Sequence, residues 1–366
     1  MQKKLIIFMP SIEGGGVEKN LFIISNFLSK KINNIILITA SYHYNKYFNK
    51  KIKIINPKVK FWDLCGRKAK YLICLYILFK EIIKTKKILI FAFQANIYCI
   101  ILAKIFNVKI ITRSNSSPSG WSKNFFKKIL YKIILRLSNK IIVNSLEFKK
   151  EMKKKFFINA KCIYNPLNTK EIKILAKEKI KFNFLKKKKN CINILNVGRF
   201  VEQKDHFTLL KALNFISHKI NFKALIVGKG INKNKMTEYI RSKQLNKKIK
   251  IINFQKNPYK YMNLCDVFIL SSIYEGLPNV LLEAITLKKF VISSSCPTGP
   301  KEILSNGKGG FLFNPGNYKL LAKKIEMFYL NQKKLKNKRE YAYKKLYRFD
   351  CKNNLNEYLK IILKYL

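Results

Sequence analysis

Along most of its length the chain alternates short, β-branched apolar runs with longer amphipathic segments, and no other feature restricts its fold as much. The first half reads as the strands KKLIIF, NIILITA, KIKIIN, KILIFAF, KIITRS, KIIVNS and KCIYNP, with helices such as Val17 to Leu28 and Asn96 to Phe106 between most of them. Strands separated by helical segments pair in parallel, because the chain must cross back over the sheet before the next strand begins. The alternation stops at Asn165-Pro166, gives way to a Lys-rich polar stretch up to Asn190, and restarts with CINILNVG, FKALIVG, KIKIINF, VFILSS and FVISSS. At 366 residues the chain exceeds one ordinary core. The expected class is α/β: two Rossmann-like, doubly wound parallel-sheet domains facing across a cleft into which their strand carboxyl ends point. Residues 1–166 make the first domain, 167–190 a linker, 191–316 the second domain, and 317–366 C-terminal helices packing back towards the first.

Charge bears on partners. Lys and Arg number 75 against 19 acidic residues, a formal net charge of +56. Only seven of the 75 are Arg, whereas a surface built to grip nucleic acid favours the bidentate fork of that side chain. Lys is spread throughout and no basic-aromatic repeat occurs, so the reading assigns no specific nucleic acid and treats a charge-driven nucleic-acid or anionic-surface binder as the alternative of a different class. Phosphorylated substrates and an anionic membrane surface fit the sign of the charge.

The scarcity of ligands excludes several mechanisms. There are four Asp (63, 205, 266 and 350) and three His (43, 206 and 218), with no D-x-D, H-E-x-x-H, G-x-S-x-G or P-loop pattern. Eight Cys occur without a C-x-x-C pair, as expected of reduced thiols in a cytosolic protein. No metal and no cofactor is expected, and any enzyme built from this set must stabilise anions with backbone N–H groups and basic side chains.

Three segments offer such groups. In SIEGGGVEKN, Gly14, Gly15 and Gly16 join the first strand to a helix, where backbone N–H groups approach an anion; the same glycines also suit a plain tight turn. In NVGRFVEQKDHFTLL, Gly198 ends a strand, Arg199 lies in the loop and Lys204 precedes a helix opened by Asp205. In SSIYEGLPNVLLEAI, Glu275 follows a buried strand, with Gly276, Leu277 and Pro278 in the turn and Glu283 about two helical turns further on. Both carboxylates fall on one side and can accept hydrogen bonds from one hydroxylated ligand; a capping Glu275 and a surface Glu283 are the plainer reading. CPTGPKEIL then ends the next strand in a sharp turn with further backbone donors.

The E-x7-E pair, the upstream GR…QK loop, the glycine-rich first loop and the NP hinge together resemble the retaining GT-B glycosyltransferases of family four, glycosyl transferases group 1. The CPTGPKEIL form is similar to members that extend lipid-linked oligosaccharide, O-antigen or capsule chains. That resemblance implies a metal-independent hexosyl- or N-acetylhexosaminyl-transferase acting on a nucleotide-sugar, a UDP-sugar, and a glycan or polyprenyl-diphosphate-linked acceptor bound on the first domain's side. It implies that Arg199 and Lys204 clamp the donor diphosphate, that Glu275 holds the transferred sugar with help from Gly276 to Pro278, and that Glu283 binds the ribose. Catalysis would fall to Glu275, Arg199 and Lys204. The base would rest near Asn253, Phe254 and Gln255, with Gly198 beside the diphosphate. Gly14, Gly15 and Gly16 would lie against the diphosphate and acceptor. Many relatives have a His after a middle strand of the first domain; this chain has Arg113 and Asn115 there, which become the candidates for a sugar contact. The alternative within enzymes is a sugar-nucleotide epimerase of the same architecture, whose acid–base needs so few His and Asp meet poorly.

The start, MQKKLIIFMP, has an apolar run too short for a signal core and reads as a first strand; no segment reaches the ~18 apolar residues of a spanning helix. A cytoplasmic location is expected, with peripheral contact to the inner face of the membrane through WSKNFFKKILYKIILRLSNK. There Trp121, Phe125, Ile129, Ile133 and Leu137 line one helical face, with Phe126, Leu130 and Ile134 beside them, and Lys123, Lys127, Lys128, Lys132 and Arg136 fill the remainder. An ordinary core-facing helix is the competing reading.

Overall fold

The computed structural model describes residues 3–85, 87–115, 125–180 and 182–366. The chain divides into two compact units, Met1–Pro166 with Cys351–Leu366, and Leu167–Asp350.

The first unit holds β1 (Lys4–Phe8), α1 (Gly16–Leu28), β2 (Ile35–Ile38), β3 (Ile52–Ile55), α2 (Arg67–Lys84), β4 (Ile88–Ala92), α3 (Asn96–Ile105), β5 (Lys109–Ser114), α4 (Phe125–Arg136), β6 (Lys140–Val143), α5 (Leu146–Glu151) and β7 (Lys161–Cys162). Its strands form one all-parallel sheet in the order β3-β2-β1-β4-β5-β6-β7. Strand periodicity sorts the apolar side chains onto two faces. Ile6, Phe8, Ile36 and Ile90 pack with α2 and α3 through Cys74, Leu78 and Ile100. Leu5, Ile7, Leu37 and Phe91 pack on the other side with Leu21, Ile24 and Leu28 of α1. Both faces are covered, which is why these strands read as continuous apolar runs.

The second unit contains α6 (Thr169–Ala176), β8 (Ile192–Val197), α7 (His206–Phe215), β9 (Phe222–Val227), α8 (Lys233–Ser242), β10 (Ile249–Ile252), α9 (Tyr259–Leu264), β11 (Val267–Leu270), α10 (Asn279–Thr286), β12 (Phe290–Ser294), α11 (Pro300–Ile303), β13 (Phe311–Phe313), α12 (Tyr318–Asn331) and α13 (Lys336–Lys344). Its sheet is also parallel, ordered β10-β9-β8-β11-β12-β13. In both sheets the order reverses beside the unit's first strand, between β1 and β4 and between β8 and β11. Ligands of open α/β sheets bind outside the carboxyl ends of strands at such a reversal.

Three boundaries differ from the sequence reading. Residues 167–190, read as a linker, carry α6, capped by Asn168 Oδ1 accepting from Glu171 N at 3.2 Å, and α6 packs on α9 and α10 within the second unit. Of the C-terminal helices, α12 and α13 stay in the second unit, because Leu321, Ala322, Ile325 and Phe328 of α12 complete its core. Only α14 (Cys351–Tyr365) belongs to the first unit, where Leu355, Tyr358 and Ile362, spaced for one helical face, join the core beside α1. The three-residue β13 went unread; it follows Gly309-Gly310, and a Cβ at Gly310 would stand 2.5 Å from the Val291 carbonyl, so close strand approach requires glycine there.

Every cysteine is free, and burial pushes the thiols of Cys74, Cys265 and Cys296 up to about 12. Such thiols stay protonated and inert.

Candidate active site

The reversal point of the second sheet assembles from three loops. The loop after β8 runs through Gly198 and Arg199 to a short 3-10 turn, Glu202–Lys204. Asp205 follows in the left-handed region (φ 43°) and caps α7, its carboxylate accepting from Thr208 N at 3.2 Å and from Thr208 Oγ1 at 2.6 Å. The stem of Lys204 lies over Gly198, where a Cβ would sit 3.7 Å from Lys204 Cγ. The loop after β11 is stitched to this turn: Ile273 N donates to the Gln203 carbonyl (2.8 Å), Gln203 Nε2 to the Tyr274 carbonyl (2.9 Å), and Ser271 Oγ to the Lys204 carbonyl (3.0 Å). The loop after β12 closes the set, with Ser294 Oγ donating to the Ser272 carbonyl (2.6 Å) and Thr298 Oγ1 to the Glu275 carbonyl (2.7 Å). A Cβ at Gly299 (φ 89°) would stand 2.2 Å from the Gly276 carbonyl, so that contact admits only glycine.

These bonds bring two of the expected residues together. Lys204 Nζ is 2.5 Å from Glu275 Oε1, and Ser272 Oγ donates to the same oxygen at 2.6 Å. The Glu275 side chain is 7% exposed and that of Lys204 17%. A carboxylate and an ammonium held this far from water interact strongly, and their geometry is set before any ligand arrives. Arg199 is exposed at the mouth of the same loop. Gly276, Leu277 and Pro278 form a buried turn into α10.

Glu283, on α10, is buried and accepts from the Tyr259 hydroxyl at 3.1 Å. A carboxylate on the apolar side of α10 thus has a phenol from α9 as a partner. Asn253, Phe254 and Gln255 follow β10: Asn253 Oδ1 accepts from Lys233 Nζ (2.8 Å), Gln255 Oε1 from the Tyr261 hydroxyl (3.3 Å), and the exposed Phe254 ring carries Lys229 above it.

In the first unit, Gly14 takes a positive φ of 82° and α1 starts at Gly16. The Glu18 carboxylate occupies the neighbourhood where the glycines were expected to receive a phosphate: a Cβ at Gly15 would stand 2.9 Å from its Oε2, and Glu13 N donates to its Oε1 at 3.4 Å. Arg113, the candidate for a sugar contact, has no solvent exposure. Its guanidinium donates to the Tyr358 hydroxyl (2.9 Å) and to Asn165 Oδ1 (2.7 Å), and lies 5.5 Å from the Phe93 ring centroid. The geometry gives it a structural task, tying β5 to α14, in place of the expected ligand contact. Asn115 Nδ2 is turned inward to the Phe93 carbonyl (3.1 Å).

Three residues of the second-unit cluster escaped the sequence reading: Ser272, Tyr259 and His206. Ser272 stands three residues before Glu275, a spacing that could have marked it. The others depend on which helices pack together. His206, the first residue of α7, is 2% exposed with both ring nitrogens unpartnered, edge-on to Phe200. Burial first, then the nearby Lys204 charge, lowers its pKa to about 4. Among the described residues no three His, Cys, Asp or Glu side chains gather as a metal site.

With this geometry in hand, the matching family is informative. Residues 176–345, which contain the whole Lys204–Glu275 arrangement, match the model of the glycosyl transferases group 1. That stretch resembles the glycosyl transferases group 1. The chain is 27% identical over 335 residues to the N-acetylgalactosamine-N,N'-diacetylbacillosaminyl-diphospho-undecaprenol 4-alpha-N-acetylgalactosaminyltransferase of Campylobacter jejuni, covering 86% of this chain and 87% of that one. Against an uncharacterized glycosyltransferase of Methanocaldococcus jannaschii the identity is 32% over 217 residues, 56% of this chain and 53% of that relative, so the match spans about half of it. In fold, the chain is similar to Anabaena HepE in complex with UDP-glucose, at a TM-score of 0.77 and 18% identity over 100% of both chains. The two parallel-sheet α/β units are those of the GT-B architecture.

Proposed function

We propose that this chain is a glycosyltransferase that moves a sugar from a UDP-sugar to a lipid-linked glycan with retention of anomeric configuration and without a metal ion. The reading rests above all on the Lys204–Glu275 pair, held at 2.5 Å where the second sheet reverses. Lys204, with Arg199 at the loop mouth, supplies positive charge for the departing diphosphate. Glu275, oriented by Ser272 and Lys204, accepts hydrogen bonds from hydroxyls of the transferred sugar, and Glu283 from those of the ribose. Asn253 to Gln255 meet the base. In the transfer step the bond from the acceptor oxygen to the anomeric carbon forms as the bond to the phosphate oxygen breaks. The acceptor's proton passes to that phosphate oxygen on the same face. The donor class is supported by a similar fold that binds UDP-glucose, and the acceptor class by a relative named for an undecaprenyl diphosphate substrate.

The test is transfer from a panel of radiolabelled UDP-sugars to polyprenyl-diphosphate-linked glycans. Transfer is expected in EDTA, with inversion or retention read by NMR of the product. Activity that requires an added divalent cation, or an inverted product, overturns the corresponding part of the reading.

Membrane contact is the further part of the proposal. On α4, Phe126, Ile129, Leu130 and Ile133 are exposed, as is Leu137 just after it, while Ile134 and Leu135 turn into the core. The exposed apolar side chains stand among Lys127, Lys128, Lys132 and Arg136, a composition suited to an anionic interface. Trp121 and Lys123 lie outside the described residues, as does the Phe125 side chain. No helix of the described residues is long and apolar enough to cross a membrane.

A further inference from the structure

At the opposite end of the second sheet from Glu275, beside the amino ends of β11 and β12, lies a hollow of about 170 Å³. Lys187, Lys288, Lys289, Lys336 and Arg339 line it, with Asp266 as the one carboxylate. Asp266 is already engaged, accepting from Asn193 N at 2.8 Å. Phe290, Phe328 and Leu335 supply apolar walls. In a chain so rich in Lys, neighbouring cations on an open surface mean little, since water and salt screen them. Here they converge on a concavity with apolar walls, where their mutual repulsion is less screened. Arg339 is one of only seven arginines in the chain, and its Nε is enclosed with no hydrogen-bond partner among the described residues. Lys289 is largely enclosed too: burial first, and then the like charges of Lys187 and Arg339, lower its pKa. Lys288 is paired with Glu340 at 3.4 Å and Lys289 Nζ donates to the Asn263 carbonyl at 2.8 Å, so the charges of Lys187, Lys289, Lys336 and Arg339, with one enclosed guanidinium N–H unmet, face a single engaged carboxylate and lack a counter-anion.

We propose that this hollow is a second anion site, separate from the donor site, that binds a phosphate group through Arg339, Lys289 and Lys336. The planar fork of Arg339 suits two phosphate oxygens, and the lysines add point charges. The volume lies below the roughly 300–1,000 Å³ of sites that enclose drug-sized ligands, so the site takes a phosphate-sized group rather than a nucleotide-sugar. The phosphate can belong to a free anion or to a phosphomonoester lipid headgroup, and the experiment distinguishes these sources.

Inorganic phosphate is titrated by calorimetry into the full chain carrying Arg199→Gln and Lys204→Gln, which removes the cations of the proposed donor site. Saturable binding is expected, weakened about tenfold by Arg339→Gln or Lys289→Gln and partly retained in Arg339→Lys. Lys150→Gln with Lys154→Gln, which removes one charge more but from an exposed stretch of the first unit, should leave it unchanged. Absence of saturable binding, or equal weakening by that control pair, overturns the proposal, provided circular dichroism shows each variant folded. A second arm measures sedimentation with phosphatidylcholine vesicles containing phosphatidic acid, in a chain carrying Ile129→Glu and Ile133→Glu. Retention that falls with Arg339→Gln assigns the site to a lipid headgroup, and phosphate binding without such retention assigns it to a soluble anion.

Discussion

At the scale of single residues, the proposed chemistry of Lys204 and Glu275 and the structural bonds of Arg113 call for different phenotypes. Lys204→Gln should lower kcat/KM for transfer about a hundredfold or more while leaving the urea midpoint near that of the parent, because in the proposed reaction its charge acts on the leaving group. An undiminished rate removes Lys204 from the mechanism. Arg113→Ala should instead lower stability by about 3 kcal/mol, since it leaves Tyr358 and Asn165 buried without their shared partner. Denaturant unfolding measures it, and a change within experimental scatter would refute a structural role. His206 gives a pH signature. Its folded pKa, lowered to about 4, lies below the ordinary value of 6.5, so the unfolded chain binds a proton first as the pH falls. The stability tied to the neutral ring is therefore full above about pH 6.5 and is lost on the way down to about pH 4. Between pH 7 and pH 5 the parent should lose about 2 kcal/mol more than His206→Phe, read from urea melts at both values. Equal losses would show that the ring is not buried as a neutral group. The sequence names all these residues without ranking them: Arg113 and Arg199 both follow or end a strand, and only burial separates the interior cation from the exposed one.

At the scale of elements, the sequence reading is close for every strand that alternates with a helix and poor where an element is short. The runs KKLIIF to KCIYNP become β1 to β7, and α1 starts one residue before its expected first residue. By contrast β13 has three residues and no periodicity to display, and α6 lies in a stretch whose Lys content reads as linker although Ile172 and Ala176 are buried. Loops respond to their closest contacts. Gly299→Ala forces a Cβ against the Gly276 carbonyl at positive φ, and should both destabilise the second unit and loosen the turn that carries Glu275. A thermal midpoint and transfer rate equal to those of the parent would show that the loop yields at no cost. Helix α14 makes a complementary case. Ending the chain at Asp350 strips Leu355, Tyr358 and Ile362 from the first core, each worth about 1.5–3 kcal/mol when fully buried. The truncated chain should lose the cooperative unfolding of the first unit, which hydrogen exchange would report.

At the scale of the whole molecule, the charge of +56 governs encounter more than fold. With the exposed apolar face of α4, it predicts sedimentation with anionic vesicles at low salt and release at high salt. Retention indifferent to salt, or none at all, contradicts that. The sequence by itself determined the architecture: two parallel sheets, their approximate bounds, the loops carrying Arg199, Lys204 and Glu275, and the helix carrying Glu283. It could do so because hydrophobic periodicity and strand-to-helix punctuation are local properties of the chain. Tertiary structure alone decided which polar groups meet: Lys204 with Glu275, Tyr259 with Glu283, Arg113 with Tyr358 across 245 positions, and five cations around one hollow. Those pairings join residues far apart in sequence, and burial, which sets the energy of each, exists only once the sheets have formed.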